Sequence, residues 1–130
     1  MREGNSNHEE IGRVILDSAM KVHSALGCGL LESAYEACLA HELVKRGVTV
    51  ERQVALPVRY DGCTIDAGYR VDLLVNKIVM VELKAVEKIL NVHQAQIMSY
   101  LKMSGCKLGY LLNFNVVHLK DGIKRVVNGL

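Results

Sequence analysis

Apolar residues recur at helical spacing through the first third of the chain. They fall every three or four positions from Ile11 to Leu26, and again from about Leu30 to Arg46. This spacing predicts two amphipathic helices, one after the other. Residues 1–6 are predicted to be frayed. Ser6 with Glu9 resembles a capping box at the start of the first helix, although Asn7 could be the cap instead.

The pattern changes to that of strands after Gly47. Short runs rich in β-branched residues are separated by turn residues, which is typical of strands in a sheet. The predicted strands cover residues 48–60, 63–67, 69–75, 78–84 and 107–113. Near the end, apolar residues at 116–119 and 123–127 flank Asp121-Gly122 and predict either a closing hairpin or a looser tail.

A third helix is predicted between two of these strands, from Asn91, its candidate cap, to about Ser104. Because a helix can connect two parallel strands, the strand at 107–113 should run parallel to the strand at 78–84. The order of elements therefore predicts an α/β fold with a mixed central sheet and helices on both faces.

Composition narrows the class of protein. The chain has 130 residues, of which 50% are hydrophobic, and a formal net charge of +2, which suits one globular domain over residues 1–130. No apolar run is long enough to span a membrane, and the polar N-terminus lacks the apolar core of a signal peptide. The four cysteines form no Cys-x-x-Cys pair, which favours reduced thiols and a cytoplasmic protein over a disulfide framework.

Charged residues interrupt the apolar segment from Val71 to Lys84. Along a strand, Glu82 and Lys84 lie on one face, while Leu83 between them faces a core on the other side. Charges in so apolar a strand are costly unless they are paired, solvated or metal-bound. A second acid, Asp72, lies one predicted strand away. The pattern therefore favours a divalent-metal site made of carboxylate oxygens with a lysine beside it.

The two acids can share a site only if the hairpin between them has the right register. A two-residue loop would pair Asp72 with Val81 and would put the two carboxylates on opposite faces of the sheet. A three-residue loop, or a bulge, pairs Asp72 with Glu82 instead. We therefore predict the odd-length turn.

Each of these residues also has an ordinary interpretation. Glu82 and Lys84 could form a surface salt bridge of little energetic consequence. Glu32, at the start of the second helix, could simply favour the helix dipole. Glu36 is predicted to be solvated or paired, and Tyr35 is predicted to be a core residue.

One further set of residues matches a known family. The segment Gly29-Leu30-Leu31-Glu32-Ser33-Ala34-Tyr35 fits the pattern that names the GxxExxY proteins, a prokaryotic group assigned to the PD-(D/E)XK nuclease superfamily. The likeness runs from about Ile11 to Val127 and includes, in order, Glu32, Asp72, Glu82, Lys84 and Gln96. The chain therefore resembles a GxxExxY protein along nearly its whole length.

The resemblance implies a restriction-endonuclease-like core with the element order α-β-β-β-α-β. It also implies that Asp72 and Glu82 bind Mg²⁺ or Mn²⁺ and that Lys84 assists phosphodiester hydrolysis. Glu32 would be a further acid that reaches the metal from the helix before the sheet. One departure is that Val71, not the superfamily's nominal proline, precedes the first acid.

The third predicted helix carries two more matches to the superfamily. Gln96 and Tyr100 fit a Gln-x-x-x-Tyr element that one nuclease branch has on the equivalent helix. Because they are four residues apart, both lie on one helix face. The resemblance implies that they position the site or the nucleic-acid backbone, and Gln96 is the stronger candidate for a catalytic role.

The predicted function is therefore a Mg²⁺- or Mn²⁺-dependent nuclease that acts on nucleic acid, with DNA as the expected substrate. The alternative is a non-catalytic module that keeps the nuclease fold to bind nucleic acid or a protein. A thiol enzyme that uses Cys28 or Cys38 with His23 or His41 has little support in the spacing. Since so small a domain has little surface beyond its core, a homodimer or a protein partner could supply specificity.

Overall fold

The structure is a computed structural model that describes residues 2–130, with side chains from Asn7 onward. Two helices open the chain, α1 (Arg2–Leu26) and α2 (Glu32–Lys45), close to the two predicted segments. The helix begins earlier than predicted, because its backbone is helical from Arg2. The prediction of a cap at Ser6 was therefore wrong, and so was that of fraying at residues 2–6. Met1 and the side chains of residues 1–6 lie outside the described part of the chain. None of the described helices has the length and apolar content that a membrane crossing requires.

Seven strands and a third helix follow in the described chain. In order they are β1 (Val50–Ala55), β2 (Val58–Tyr60), β3 (Cys63–Ile65), β4 (Arg70–Val75), β5 (Val79–Lys84), α3 (Asn91–Ser104), β6 (Leu108–Asn113) and β7 (Ile123–Val127). A short 3₁₀ helix, Leu119–Gly122, precedes β7. The predicted third helix has the predicted bounds, but Leu90 is its N-cap and Asn91 is already helical. The His93 ring caps this end instead, because its Nδ1 accepts a hydrogen bond from the Leu90 N–H at 3.0 Å.

The central sheet has five strands in the order β1-β4-β5-β6-β7, and β2 and β3 form a separate hairpin. Neighbouring strands in the central sheet are antiparallel except β5 and β6, which are parallel and are joined by α3. This confirms the predicted mixed α/β fold, including the helical crossover, and it is consistent with a restriction-endonuclease-like fold.

The end of the chain differs from the predicted closing hairpin. Leu112 pairs with Ile123 and Leu108 pairs with Val127, so β7 adds to the edge of the sheet along β6, and residues 116–119 form no strand. Gly122 allows this return, because a side chain there would overlap the carbonyl oxygen of Asn113. The hairpin prediction was therefore wrong about the partner of this strand.

The sheet separates two apolar layers. The larger core lies between the sheet and the α1–α2 pair, and it includes Val81 and Leu83 as predicted. The smaller core contains Met80 and, from α3, Tyr100 and Leu101. Side chains of β5 that alternate with Val81 and Leu83 therefore face α3, and this is the face on which the candidate site lies.

Candidate active site

The hairpin between β4 and β5 has the predicted odd-length turn. Leu73 pairs with Val81 and Val75 pairs with Val79, which leaves a three-residue loop between the strands. The loop residues Asn76 and Lys77 have positive φ angles of 49° and 62°. The same register places Asp72 opposite Glu82, so the geometric condition for a shared site is met.

At this position, side chains replace the backbone ladder between the two strands. The Asp72 N–H donates to Glu82 Oε1 at 2.8 Å, and the Leu83 N–H donates to Asp72 Oδ2 at 2.8 Å. Each carboxylate is therefore held against the backbone of the opposite strand. Because each carboxyl group accepts a short hydrogen bond from the opposite strand, both acids have fixed orientations.

Burial and nearby negative charges raise the pKa values of both carboxyl groups. Glu82 is only 5% exposed. Burial, and then the nearby charge of Asp72, raise the pKa of Glu82 to about 8. Burial also raises the pKa of Asp72, although the hydrogen bond from Leu83 opposes it. Among the described side chains, no lysine or arginine forms a salt bridge with either acid. Two acids without a cationic partner are a donor set that suits a divalent cation.

Lys84 is linked to the third helix. Its Nζ donates to Gln96 Oε1 at 3.3 Å, and Gln96 Nε2 donates to the Tyr100 hydroxyl at 3.1 Å. A groove of about 450 Å³ opens here, and Tyr69 and His93 line it together with these three residues. The lysine is therefore placed between the paired acids and an open groove that could admit a substrate.

Glu32 lies at the same end of the sheet. It is the first residue of α2, and its Oε2 accepts a hydrogen bond from the Ala85 N–H at 3.2 Å. Its charge contributes, after larger effects, to the raised pKa values of both Asp72 and Glu82. The structure thus brings the three predicted acids within electrostatic reach of one another.

Tyr35, the last residue of the Gly-x-x-Glu-x-x-Tyr segment, has a structural role. Its ring is fully buried, as predicted, but its hydroxyl donates to the Gly27 carbonyl at 2.6 Å and accepts from the Leu30 N–H at 3.2 Å. Gly29, with a φ of 102°, allows the turn between these two contacts. The tyrosine therefore fastens the loop that leads directly into Glu32.

Replacing Tyr35 by phenylalanine is expected to lower the free energy of unfolding by about 1–3 kcal/mol, because two backbone groups lose their partner. The ring would still fill the core. Urea denaturation measures the loss, and Tyr60→Phe is the matched control, because Tyr60 is 71% exposed. Equal losses in the two variants would contradict the fastening role.

The sequence did not identify three residues near Asp72 as parts of the site, namely Gln53, Glu36 and Arg52. Gln53 Nε2 donates to Asp72 Oδ1 at 3.1 Å and to Glu36 Oε1 at 2.7 Å. Glu36 in turn forms an ion pair with Arg52 at 3.0 Å, which agrees with the prediction that it is solvated or paired. Nothing in the residue types marks Gln53, since glutamine inside a strand carries no structural signal of its own.

The acids do not form a ready-made metal cage. Among the described side chains, no three Asp, Glu, His or Cys residues are arranged to hold an ion together. One oxygen of each acid of the pair also accepts a hydrogen bond from a backbone N–H. What fits a metal is the donor chemistry: two adjacent, largely buried carboxylates without a salt bridge, and a third acid nearby.

The pair His23 and Cys28 gives the thiol alternative no support. His23 is buried, and its Nε2 lies 2.8 Å from the Val116 carbonyl oxygen, so this nitrogen is occupied by the backbone. Cys28 is exposed and lines a separate groove of about 540 Å³ on the α1 side of the molecule. This groove is larger than the one beside Lys84, but it lacks the paired acids.

A mixed sheet with a helical crossover and an Asp-Glu-Lys set on its central hairpin defines a nuclease-like α/β protein. A family model described as PD-(D/E)XK nuclease superfamily matches residues 9–126, and the chain belongs to this superfamily. Searches of curated proteins and of solved structures found no significant match.

Proposed function

We propose that this protein is a GxxExxY-type nuclease that hydrolyses phosphodiester bonds in nucleic acid, with DNA as the substrate and Mg²⁺ or Mn²⁺ as the cofactor. The observation that carries the proposal is the pair Asp72 and Glu82. Both acids lie side by side without a salt bridge, on the strand pair that also presents Lys84. Membership of the nuclease superfamily supports the same reaction class.

Each residue of the site has a distinct role in this proposal. Asp72 and Glu82 would hold the ion, and Glu32 would add a third negative charge nearby. The ion, when bound, would polarise the scissile phosphate and stabilise its developing charge. Lys84 would add a fixed positive charge at the same phosphate, which is worth most in a site that excludes water. Gln96 would keep the lysine amine in place through its 3.3 Å hydrogen bond.

The nucleic acid would approach through the groove beside Lys84. Binding would be largely phosphate-directed and therefore sensitive to salt. A homodimer or a protein partner remains part of the proposal, because a domain of 130 residues offers little further surface for specificity. A cytoplasmic location is also part of the proposal.

Cleavage of labelled single- and double-stranded DNA and RNA tests the proposal. We expect cutting with Mg²⁺ or Mn²⁺, none with chelator, and a loss of at least about 100-fold in the rate of Lys84→Ala. Lys88→Ala is a control in the same loop region, because Lys88 makes none of the site's hydrogen bonds. Cutting that persists in chelator, or that Lys84→Ala leaves unchanged, would contradict the proposal.

A non-catalytic module is the second candidate, and one observation favours it. The described acids form no preassembled three-ligand cage. This candidate predicts binding of nucleic acid without cutting by the wild type in either metal. Metal-dependent cutting of any member of the panel would exclude it.

A further inference from the structure

Gln53 has an unusual backbone in the middle of a strand. Its φ angle is 52°, in the left-handed region that glutamine rarely adopts. The pairing of β1 with β4 continues on both sides of it, from Arg52 opposite Leu73 to Val54 opposite Val71. The structure therefore accepts a strained residue exactly opposite Asp72, where no turn requires one.

Gln53 lies where β1 changes from one apolar core to the other. Val50 packs on the larger core, whereas Val54 packs on the smaller one, although residues four apart in a regular strand face the same side. The change of face falls within the four residues that include Gln53, and β4 changes face beside it. The Gln53 side chain lies between two acids. Its Nε2 is 3.1 Å from Asp72 Oδ1 and 2.7 Å from Glu36 Oε1.

These contacts leave Asp72 with no freedom to turn. Gln53 holds Oδ1, and the Leu83 N–H holds Oδ2 at 2.8 Å. Gln53 is itself held, because Glu36 is buried and is fixed by Arg52 at 3.0 Å. Since both neighbours of the amide are carboxylates, only its NH₂ group can face them.

We propose that Gln53, supported by Glu36 and Arg52, is a positioning residue that orients the Asp72 carboxylate for a divalent cation. The inference rests on the metal site of the proposed function. Partners that orient a metal-binding carboxylate typically change the metal affinity by 10- to 100-fold when they are removed. No role in substrate contact is assigned to Gln53.

The test separates this positioning role from a purely structural one. Gln53→Gly removes the side chain and its two hydrogen bonds, and it also removes the backbone strain, which offsets part of the lost stability. Gln53→Met keeps the length of the side chain but has no donor. Lys77→Gly is the matched control, because Lys77 also has a left-handed φ, of 62°, but touches neither acid.

The readout is Mn²⁺ binding measured by calorimetry, together with the rise in melting temperature that Mn²⁺ causes. We expect Gln53→Gly and Gln53→Met to bind Mn²⁺ about 10- to 100-fold more weakly, and Lys77→Gly to bind like the wild type. An affinity of Gln53→Gly within about twofold of the wild type would overturn the positioning role. Failure of the wild type to bind Mn²⁺, or undiminished binding by Asp72→Asn, would instead overturn the metal site itself.

Discussion

Replacing Glu82 by glutamine is expected to stabilise the metal-free protein at about pH 8 and to abolish its response to Mg²⁺. In the folded protein, burial and the charge of Asp72 raise the pKa of Glu82 to about 8. In the unfolded chain a glutamate loses its proton at about pH 4.3. Between these values the folded state binds a proton that the unfolded state does not, so the free energy of unfolding falls as the pH rises.

Glutamine avoids this loss because it has no charge at any pH. Its side-chain oxygen can still accept the hydrogen bond that the Asp72 N–H donates to Glu82 Oε1. At about pH 5 the two proteins should be similarly stable, whereas at about pH 8 the variant should be more stable by an amount on the order of a few kcal/mol. Asp72, whose pKa burial also raises, adds to the decline with pH in both proteins.

Urea denaturation in chelator at the two pH values measures the difference. Glu51→Gln is the control, because the Glu51 side chain is 46% exposed and its removal should change the stability by less than about 0.5 kcal/mol at either pH. Added Mg²⁺ should stabilise the wild type most at the higher pH, where the acids are ionised, and should not stabilise Glu82→Gln. The argument would be contradicted if, in chelator, the stability of the wild type relative to Glu82→Gln rose from about pH 5 to about pH 8.

The central hairpin was predictable because two independent rules agree there. Alternation along β5 separates Glu82 from Leu83, and the need to bring Asp72 to the same face requires an odd turn. The observed register confirms this reasoning. A one-residue difference in the loop would have moved every side chain of one strand to the other face, so the prediction had only two outcomes.

Other parts of the site depend on contacts that residue types do not reveal. Tyr35 was predicted as a core residue from its helical spacing, but no pattern indicates that its hydroxyl binds the Gly27 carbonyl. Gln53 is a stronger case, because positive φ usually falls on glycine or asparagine. It lies where β1 passes from one apolar layer to the other, which is a property of the assembled sheet.

Truncating Phe114 to alanine is expected to destabilise the protein by about 3–5 kcal/mol. Phe114 is completely buried, and its ring stacks on Tyr35 with centroids 4.5 Å apart and an interplanar angle of 18°. The His23 ring lies 6.1 Å away. This loss would be a large share of the free energy of unfolding, which is about 5–15 kcal/mol for domains of this kind.

The loss of the Phe114 ring should also affect the candidate site, because Phe114 connects the site to the larger core. Its N–H donates to the Lys84 carbonyl oxygen at 2.9 Å, while its ring packs on the tyrosine that fastens the loop before Glu32. Phe114→Leu keeps most of the side-chain volume, so it should lose less stability than Phe114→Ala and keep the response to Mg²⁺. Val117→Ala is the control, because Val117 is 80% exposed and its loss should cost less than about 0.5 kcal/mol. Urea denaturation ranks the three variants, and a loss below about 1 kcal/mol for Phe114→Ala would show that the ring does not join the two helices to the end of β5.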